Sequence, residues 1–247
     1  MMVTVIGRGH SGTRAMSHTL SASGVFMGGK LNGSGDLVPA EDFYDACRVM
    51  AGYVKYLGDL NWDFSALHDM PIDPEFERLV NRYLASLHES DAEHRGWKLP
   101  ETVLVLPWIV RMFPDINYIY WIRDPRDCIL GSHMTDDLAD FGIEYDRTDD
   151  IRERRAISWK YQSEIYKATP TPKNLLEVRF EDLVLRQDET LKRLEAFLGI
   201  TMGRVEMRPE SVGRWRTAEG RYDFPFFHEE LERYGYEREC VSGGVGG

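Results

Sequence analysis

The sequence predicts an α/β fold of three layers, a central parallel sheet with helices on both faces, and three observations carry that reading. Stretches of strand and helix character alternate along the chain, the pattern of a parallel sheet whose crossovers are helical. Residues 118–122, Tyr-Ile-Tyr-Trp-Ile, are β-branched and aromatic without polar alternation, as in a strand covered on both faces. The opening β-branched run stops at a glycine-rich turn that leads directly into a helix.

Taken in order, the first strand covers residues 2–6, and the turn Gly7-Arg8-Gly9-His10-Ser11-Gly12 precedes a helix from Thr13 to Ser23, closed by Gly24. Residues 28–40 carry Gly28, Gly29, Gly33, Gly35 and Pro39 with few large apolar groups, which reads as a long loop of the kind that is often functional. From residue 41 to 88 apolar positions recur at three and four, as in Phe43, Cys47, Val54 and Leu57 and again in Phe76, Leu79, Val80, Tyr83 and Leu84, so this region is expected to be helical. Trp97-Lys98-Leu99-Pro100-Glu101 reads as a strand end entering a helix, with Pro100 near the first helical position. A strand at residues 117–122 ends at Arg123-Asp124-Pro125, and another at residues 175–180 ends at Glu181-Asp182. An amphipathic helix follows at residues 189–198, capped by Gly199. One domain is expected over residues 1–241, with a flexible glycine-rich tail at residues 242–247.

The 247 residues are 43% hydrophobic, enough for one sizeable core. Against 30 basic residues stand 41 acidic ones, and the resulting charge of −11 disfavours nucleic acid as a partner, so any anion site must be local. Cys47, Cys128 and Cys240 lie far apart without a CxxC pair, which suggests neither a zinc site nor a disulfide framework and fits a reducing compartment. The opening residues lack the charged and apolar regions of a secretion signal, and no stretch approaches the roughly 18 apolar residues of a membrane span. A soluble cytoplasmic protein without a membrane partner is expected. Nothing in the sequence marks an oligomer interface.

In a parallel sheet, ligands bind beyond the carboxyl ends of the strands, where helix N-termini offer free N–H groups and positive dipole ends. Polar clusters fall there at residues 7–14, 123–132 and 180–182. The first has the glycine spacing of a Walker A loop, but Thr13-Arg14 stands where that loop has lysine followed by serine or threonine. The backbone N–H groups of residues 9–13 can still wrap a phosphate, with the Ser11 and Thr13 hydroxyls as further donors. Taken alone, the glycines also suit a plain strand-to-helix turn.

The run Ile6-Gly7-Arg8-Gly9-His10-Ser11-Gly12-Thr13 resembles the 5′-phosphosulfate loop of sulfotransferases that use 3′-phosphoadenosine 5′-phosphosulfate (PAPS), where a basic residue precedes Ser-Gly-Thr. Tyr120-Trp121-Ile122-Arg123-Asp124-Pro125-Arg126-Asp127, continuing to Ser132, resembles that family's 3′-phosphate motif. Val178-Arg179-Phe180-Glu181-Asp182-Leu183 is similar to its aromatic-Glu-Asp-Leu segment, and residues 191–200 to the Phe-Leu-Gly helix after it. Ser211-Val212-Gly213-Arg214-Trp215-Arg216 is similar to its late Gly-x-Trp basic segment. Together these cover most of the chain. The resemblance implies a P-loop-like fold, PAPS as sulfuryl donor and no metal requirement.

It also implies a nucleotide site: Arg8, Gly9, His10, Ser11, Gly12, Thr13 and Arg14 around the phosphosulfate, Arg123 and Ser132 on the 3′-phosphate, and Phe180 against adenine. Arg208, Arg214 and Trp215 would close over the ligand. PAPS carries its two anionic groups on opposite sides of one ribose, so a binder needs two anion sites flanking an adenine slot. Arg123, just beyond a strand, can fork onto one phosphate, with a Ser132 hydroxyl from the following helix. Read alone, Arg123 also suits an ion pair with Asp124 or Asp127, Arg126 a surface or pairing place, Phe180 equally a core place, and the late arginines a solvated loop.

In-line sulfuryl transfer builds charge on the bridging oxygen, which positioned cations and a general base can serve. Lys98, in a Lys-x-Pro segment similar to one the family places beside the sulfuryl group, is the candidate for that charge. Glu101 is the candidate base, ahead of His68, His88 and His94. His10 stands where the family has lysine or arginine, and at an ordinary pKa of about 6.5 it is only partly charged at neutral pH, with Arg8 or Arg14 placed to compensate. Ser132 falls one residue later than the family's serine, because Gly131 occupies the expected place. The expected function is sulfuryl transfer from PAPS to a hydroxyl or amine of a small-molecule or glycan acceptor. A P-loop kinase of a small metabolite is one alternative, disfavoured by the missing Walker lysine and the Arg-Asp-Pro strand end. A non-catalytic nucleotide-binding protein of the same fold is the other. Residues 28–96 are expected to shape the acceptor pocket, with Phe43, Tyr44, Tyr53, Tyr56 and Trp62 lining it or joining the core.

Overall fold

The computed structural model describes residues 1–217 and 221–237, so the tail at residues 242–247 and Cys240 lie outside the described residues. The chain opens with β1 (Met2–Ile6) and α1 (Thr13–Ala22), and the loop at residues 28–40 leads to α2 (Glu41–Ala51). Next come β2 (Lys55–Gly58), β3 (Asn61–Asp63), α3 (Ala66–Asp69), α4 (Pro74–Tyr83) and α5 (Ala85–His88). Then β4 (Arg95–Lys98) enters a 3-10 turn (Pro100–Val105) and α6 (Leu106–Met112). After β5 (Asn117–Ile122), a single turn α7 (Pro125–Cys128) precedes the long α8 (Ile151–Ala168). The chain continues through β6 (Leu175–Arg179), α9 (Phe180–Leu185), α10 (Gln187–Leu198) and α11 (His228–Arg233).

Four parallel strands lie side by side in the order β4, β1, β5, β6. Val5 is opposite both Lys98 and Ile119, and Ile122 is opposite Arg179, so the residues that leave each strand gather on one carboxyl edge. Both faces are covered. Val3, Val5, Ile119, Trp121 and Val178 pack with Met16 and Leu20 of α1 and with Leu191 and Leu194 of α10. Ile6 and Tyr118 pack on the other side with Phe43, Trp108, Tyr161 and Ile165 from α2, α6 and α8. Each large apolar side chain buried this way contributes about 1.5–3 kcal/mol, which is why these strands carry no polar alternation.

The region expected to be helical between residues 41 and 88 contains a β-hairpin instead. Asp59 and Leu60 both adopt positive φ, 52° and 57°, forming the tight two-residue turn that suits strand twist. Across it Tyr56 faces Trp62, their rings 5.6 Å apart, and this cross-strand pair outweighs the coincidental helical spacing of Val54 and Leu57. Helix α8 was not legible in the sequence. Its N-cap Asp150 accepts from the N–H groups of Arg152 and Glu153, but Arg155, Ser158 and Gln162 are buried with Ile157 and Tyr161 and interrupt the apolar stripe. The strand at residues 175–179 is one residue shorter than expected, because Phe180 already opens α9. Phe43 and Trp62 are buried in the core, and Tyr44, Tyr53 and Tyr56 pack partly buried against it. Among the described residues no helix is long and apolar enough to cross a membrane.

Candidate active site

The glycine-rich turn at residues 7–12, the donor loop of the expected site, is shaped by contacts that exclude side chains. A Cβ at Gly7 would meet the Trp121 carbonyl oxygen at 2.7 Å, because β5 passes directly behind. Gly12, the N-cap of α1, holds φ at 87°, and a Cβ there would stand 2.7 Å from the Phe180 ring. Gly12→Ala is therefore expected to destabilise the fold by about 2 kcal/mol, through left-handed strain and overpacking, measured as a lowered midpoint in chemical denaturation. No side chain caps α1, so the N–H groups of Thr13 and Arg14 and the positive end of the helix dipole face the loop's mouth.

The loop side chains divide by direction. Arg8 points inward and is buried, donating to Asp136 at 2.9 Å and to the carbonyls of Gly9 at 2.9 Å and Cys128 at 3.0 Å. It clamps the loop from beneath, with its charge directed to Asp136 and away from the loop's mouth, where the sequence places it to compensate for His10. The Ser11 hydroxyl also turns inward, donating to the Arg8 carbonyl at 2.5 Å, while the Ser11 carbonyl accepts from the Trp121 indole N–H. Thr13 is buried and Arg14 is exposed. His10 projects outward from a left-handed backbone, φ 62°. Partial desolvation, reinforced by the charge of Arg8, lowers its pKa below the ordinary value, which reduces the partial positive charge expected there at pH 7.

Arg123 leaves β5 buried, with both terminal guanidinium nitrogens engaged. Its guanidinium donates to Asp127 at 3.1 Å, to the His10 carbonyl at 3.2 Å and to the Ser211 carbonyl at 2.6 Å, and it lies 4.3 Å over the Phe180 ring. The ion pair with Asp127 thus exists, and it does not turn Arg123 away from the donor loop. Asp127 in turn accepts from the N–H groups of Gly213 at 3.0 Å and Trp215 at 2.8 Å, tying residues 211–215 to the end of β5. Arg208, just before that segment, and Arg214, on it, are both exposed. Trp215 is buried under Arg126, whose guanidinium sits 3.5 Å above its ring and pairs with Asp124, so the tryptophan anchors the segment and is not free to close over a ligand. Phe180 is buried too, between Gly12 and Arg123, which gives the donor loop and the arginine a common aromatic wall.

Ser132 departs from expectation. Helix α7 ends at Cys128, and Ser132 is exposed in the irregular stretch beyond it. Gly131 lies so close to the His10 ring that a Cβ would come within 2.2 Å of Nδ1, and the chain leaves the helix to cross the donor loop there.

On the other side of the loop, Lys98 ends β4 buried, its ammonium paired with Asp36 from the loop at residues 28–40. Burial holds its pKa below the usual lysine range, opposed by Asp36. Glu101 is also buried, and its Oε2 has no hydrogen-bond partner among the described residues. Burial pushes this carboxyl group up to about 7, beside Asp36 and against the pull of Lys98. His68 and His88 belong to α3 and α5, and His94 stands at the amino end of β4, the far edge of the sheet. The histidine that approaches Glu101 is His133, with Nε2 at 3.9 Å from Oε1. It lies one residue beyond the stretch that the sequence marks as polar.

A sequence model described as the sulfotransferase family matches residues 3–204. No curated protein sequence matches. Among solved structures, the sulfotransferase domain from the curacin biosynthetic pathway superposes with a TM-score of 0.58 at 12% identity, covering 95% of this chain and 97% of that one. The sulfotransferase domain from the Synechococcus PCC 7002 olefin synthase gives 0.58 at 14% identity, covering 96% and 95%. At such identities the structures speak for the three-layer, P-loop-like α/β fold. The match along residues 3–204 goes further than the fold: this chain belongs to the sulfotransferase family.

Proposed function

We propose that the protein moves a sulfuryl group from PAPS to a hydroxyl or amine of a small-molecule or glycan acceptor. The observation that carries this reading is the position of Arg123, which donates to the donor loop at His10 and to the tied segment at Ser211 while lying over Phe180. Two places for anions and an aromatic wall are thereby joined at one sheet edge, as a ligand with a 5′-phosphosulfate, an adenine and a 3′-phosphate requires. The buried Arg123 Nε, without a partner among the described residues, and the uncapped start of α1 agree with an anionic ligand.

In this reading the Thr13 and Arg14 N–H groups hold the phosphosulfate oxygens, and Lys98 faces the charge that grows on the bridging oxygen. The acceptor oxygen or nitrogen forms the new bond to sulfur as the sulfur–oxygen bond to the phosphate breaks. Glu101 takes the proton that the acceptor gives up. The test is thermal unfolding with added nucleotide. At a hundredfold excess over Kd, 3′-phosphoadenosine 5′-phosphate without magnesium is expected to stabilise by about 2.7 kcal/mol. Stabilisation by magnesium-ATP alone would transfer the site to the kinase reading.

A further inference from the structure

Building on the reading of Glu101 as general base, we propose that His133 is a positioning residue that couples the Glu101 carboxyl group to the donor loop. His133 opens the 3-10 turn Met134–Asp136, and its backbone N–H donates to Asp136 at 2.9 Å. That carboxylate also holds Arg8 at 2.9 Å and Arg155 at 2.9 Å, so the histidine rides on the ion cluster that clamps the donor loop from beneath. Its ring lies directly against the loop: a Cβ at Gly9 would come within 2.1 Å of it. Glycine at that place admits the ring.

The ring's tautomer follows from its partners. Nδ1 accepts from the Thr135 N–H at 3.2 Å and stands 3.0 Å from the Thr135 hydroxyl. Gln162 donates to that hydroxyl at 3.4 Å, which leaves the Thr135 proton for Nδ1. A neutral imidazole that accepts at Nδ1 carries its proton on Nε2, and Nε2 faces Glu101 Oε1 at 3.9 Å. Burial and the charge of Arg8 keep the ring neutral, with a pKa of about 4. With its proton on Nε2, the ring presents an N–H 3.9 Å from one carboxylate oxygen, longer than a hydrogen bond but near enough for its dipole to favour the ionised form.

The other groups around the pair oppose one another. Asp36 from the loop at residues 28–40 raises the Glu101 pKa, and Lys98 at the end of β4 lowers it. Tyr44 and Cys47 of α2 and Tyr83 of α4 face Glu101 as neutral groups, each pushed upward by burial. Around the His133 ring stand Arg8 and His10 from the donor loop, with Asp136 and Asp36. The backbone N–H of Glu101 itself also favours the ionised carboxylate, and His133 approaches Oε1 from the donor-loop side.

The test separates the two ends of the imidazole. Asparagine at position 133 can replace Nδ1 as the acceptor for Thr135 but does not reach Glu101, whereas glutamine can place an amide N–H where Nε2 stands. The readout is the infrared band of the protonated Glu101 carboxyl group, identified by its loss in Glu101→Gln and followed with pH in the full chain. Binding of 3′-phosphoadenosine 5′-phosphate reports that each variant is folded. The midpoint is expected near 7 in the parent protein. His133→Asn should raise it by about half a pH unit or more, and His133→Gln should leave it near the parent value. Equal midpoints in the two folded variants would overturn the coupling. Turnover of PAPS by Glu101→Gln at the parent rate, with the midpoints still separated by the His133 variants, would remove the general-base reading and leave the coupling standing.

Discussion

Arg123→Ala is expected to weaken binding of 3′-phosphoadenosine 5′-phosphate by about 2–3 kcal/mol, roughly 30- to 160-fold, as measured by calorimetric titration. The guanidinium would be lost from both proposed anion sites at once, because it donates to His10 in the donor loop and to Ser211 in the tied segment. Asp127 would keep the N–H groups of Gly213 and Trp215 but lose its cation, leaving a buried carboxylate less well balanced. Arg123→Lys serves as the companion variant. It retains the charge and loses the fork, so intermediate affinity is expected if geometry matters as well as charge. Affinity equal to the parent in Arg123→Ala would remove the 3′-phosphate assignment.

Glu101→Gln should lower kcat by about 100- to 10,000-fold, with nucleotide affinity within a factor of about two of the parent, because general-base loss acts on the chemical step. Release of 3′-phosphoadenosine 5′-phosphate from PAPS, followed across hydroxyl and amine acceptors, gives the rate. The pH dependence has a definite sign. A carboxyl group raised to about 7 is protonated below that value and cannot take a proton, so kcat/KM should climb through pH 7 and level off above it. In Glu101→Gln that limb should be absent. A parent-like rate and profile in the variant would exclude Glu101 as the base.

Much of the fold was legible because its signals are local. The run at residues 118–122 is buried on both sides, and Gly7 is required where the β5 backbone passes. The carboxyl-edge placement of the donor loop, Arg123 and Phe180 follows from those strands. What escaped the sequence depends on distant partners. Whether Arg8 points into or away from the loop is decided by Asp136, which stands 128 residues later in the chain. His133 gained its place from an ion cluster assembled by three separate segments. Helix α8 hid because its buried face is partly polar, and the hairpin hid because Val54 and Leu57 sit at a spacing that a helix also satisfies, while the pairing of Tyr56 with Trp62 shows only once the turn has formed. The sequence places Ser132 in a helix that the crossing over His10 cuts short.

The bonds that seat Arg123 join residues 113 and 88 positions away, one near the start of the chain and one near its end. All four sheet strands have been made by residue 179, yet the Ser211 carbonyl emerges from the ribosome only afterwards. The strands of the scaffold thus precede, in order of synthesis, the carbonyl that completes the seat of Arg123, so the arginine can be held from both sides only after residue 211 has been made.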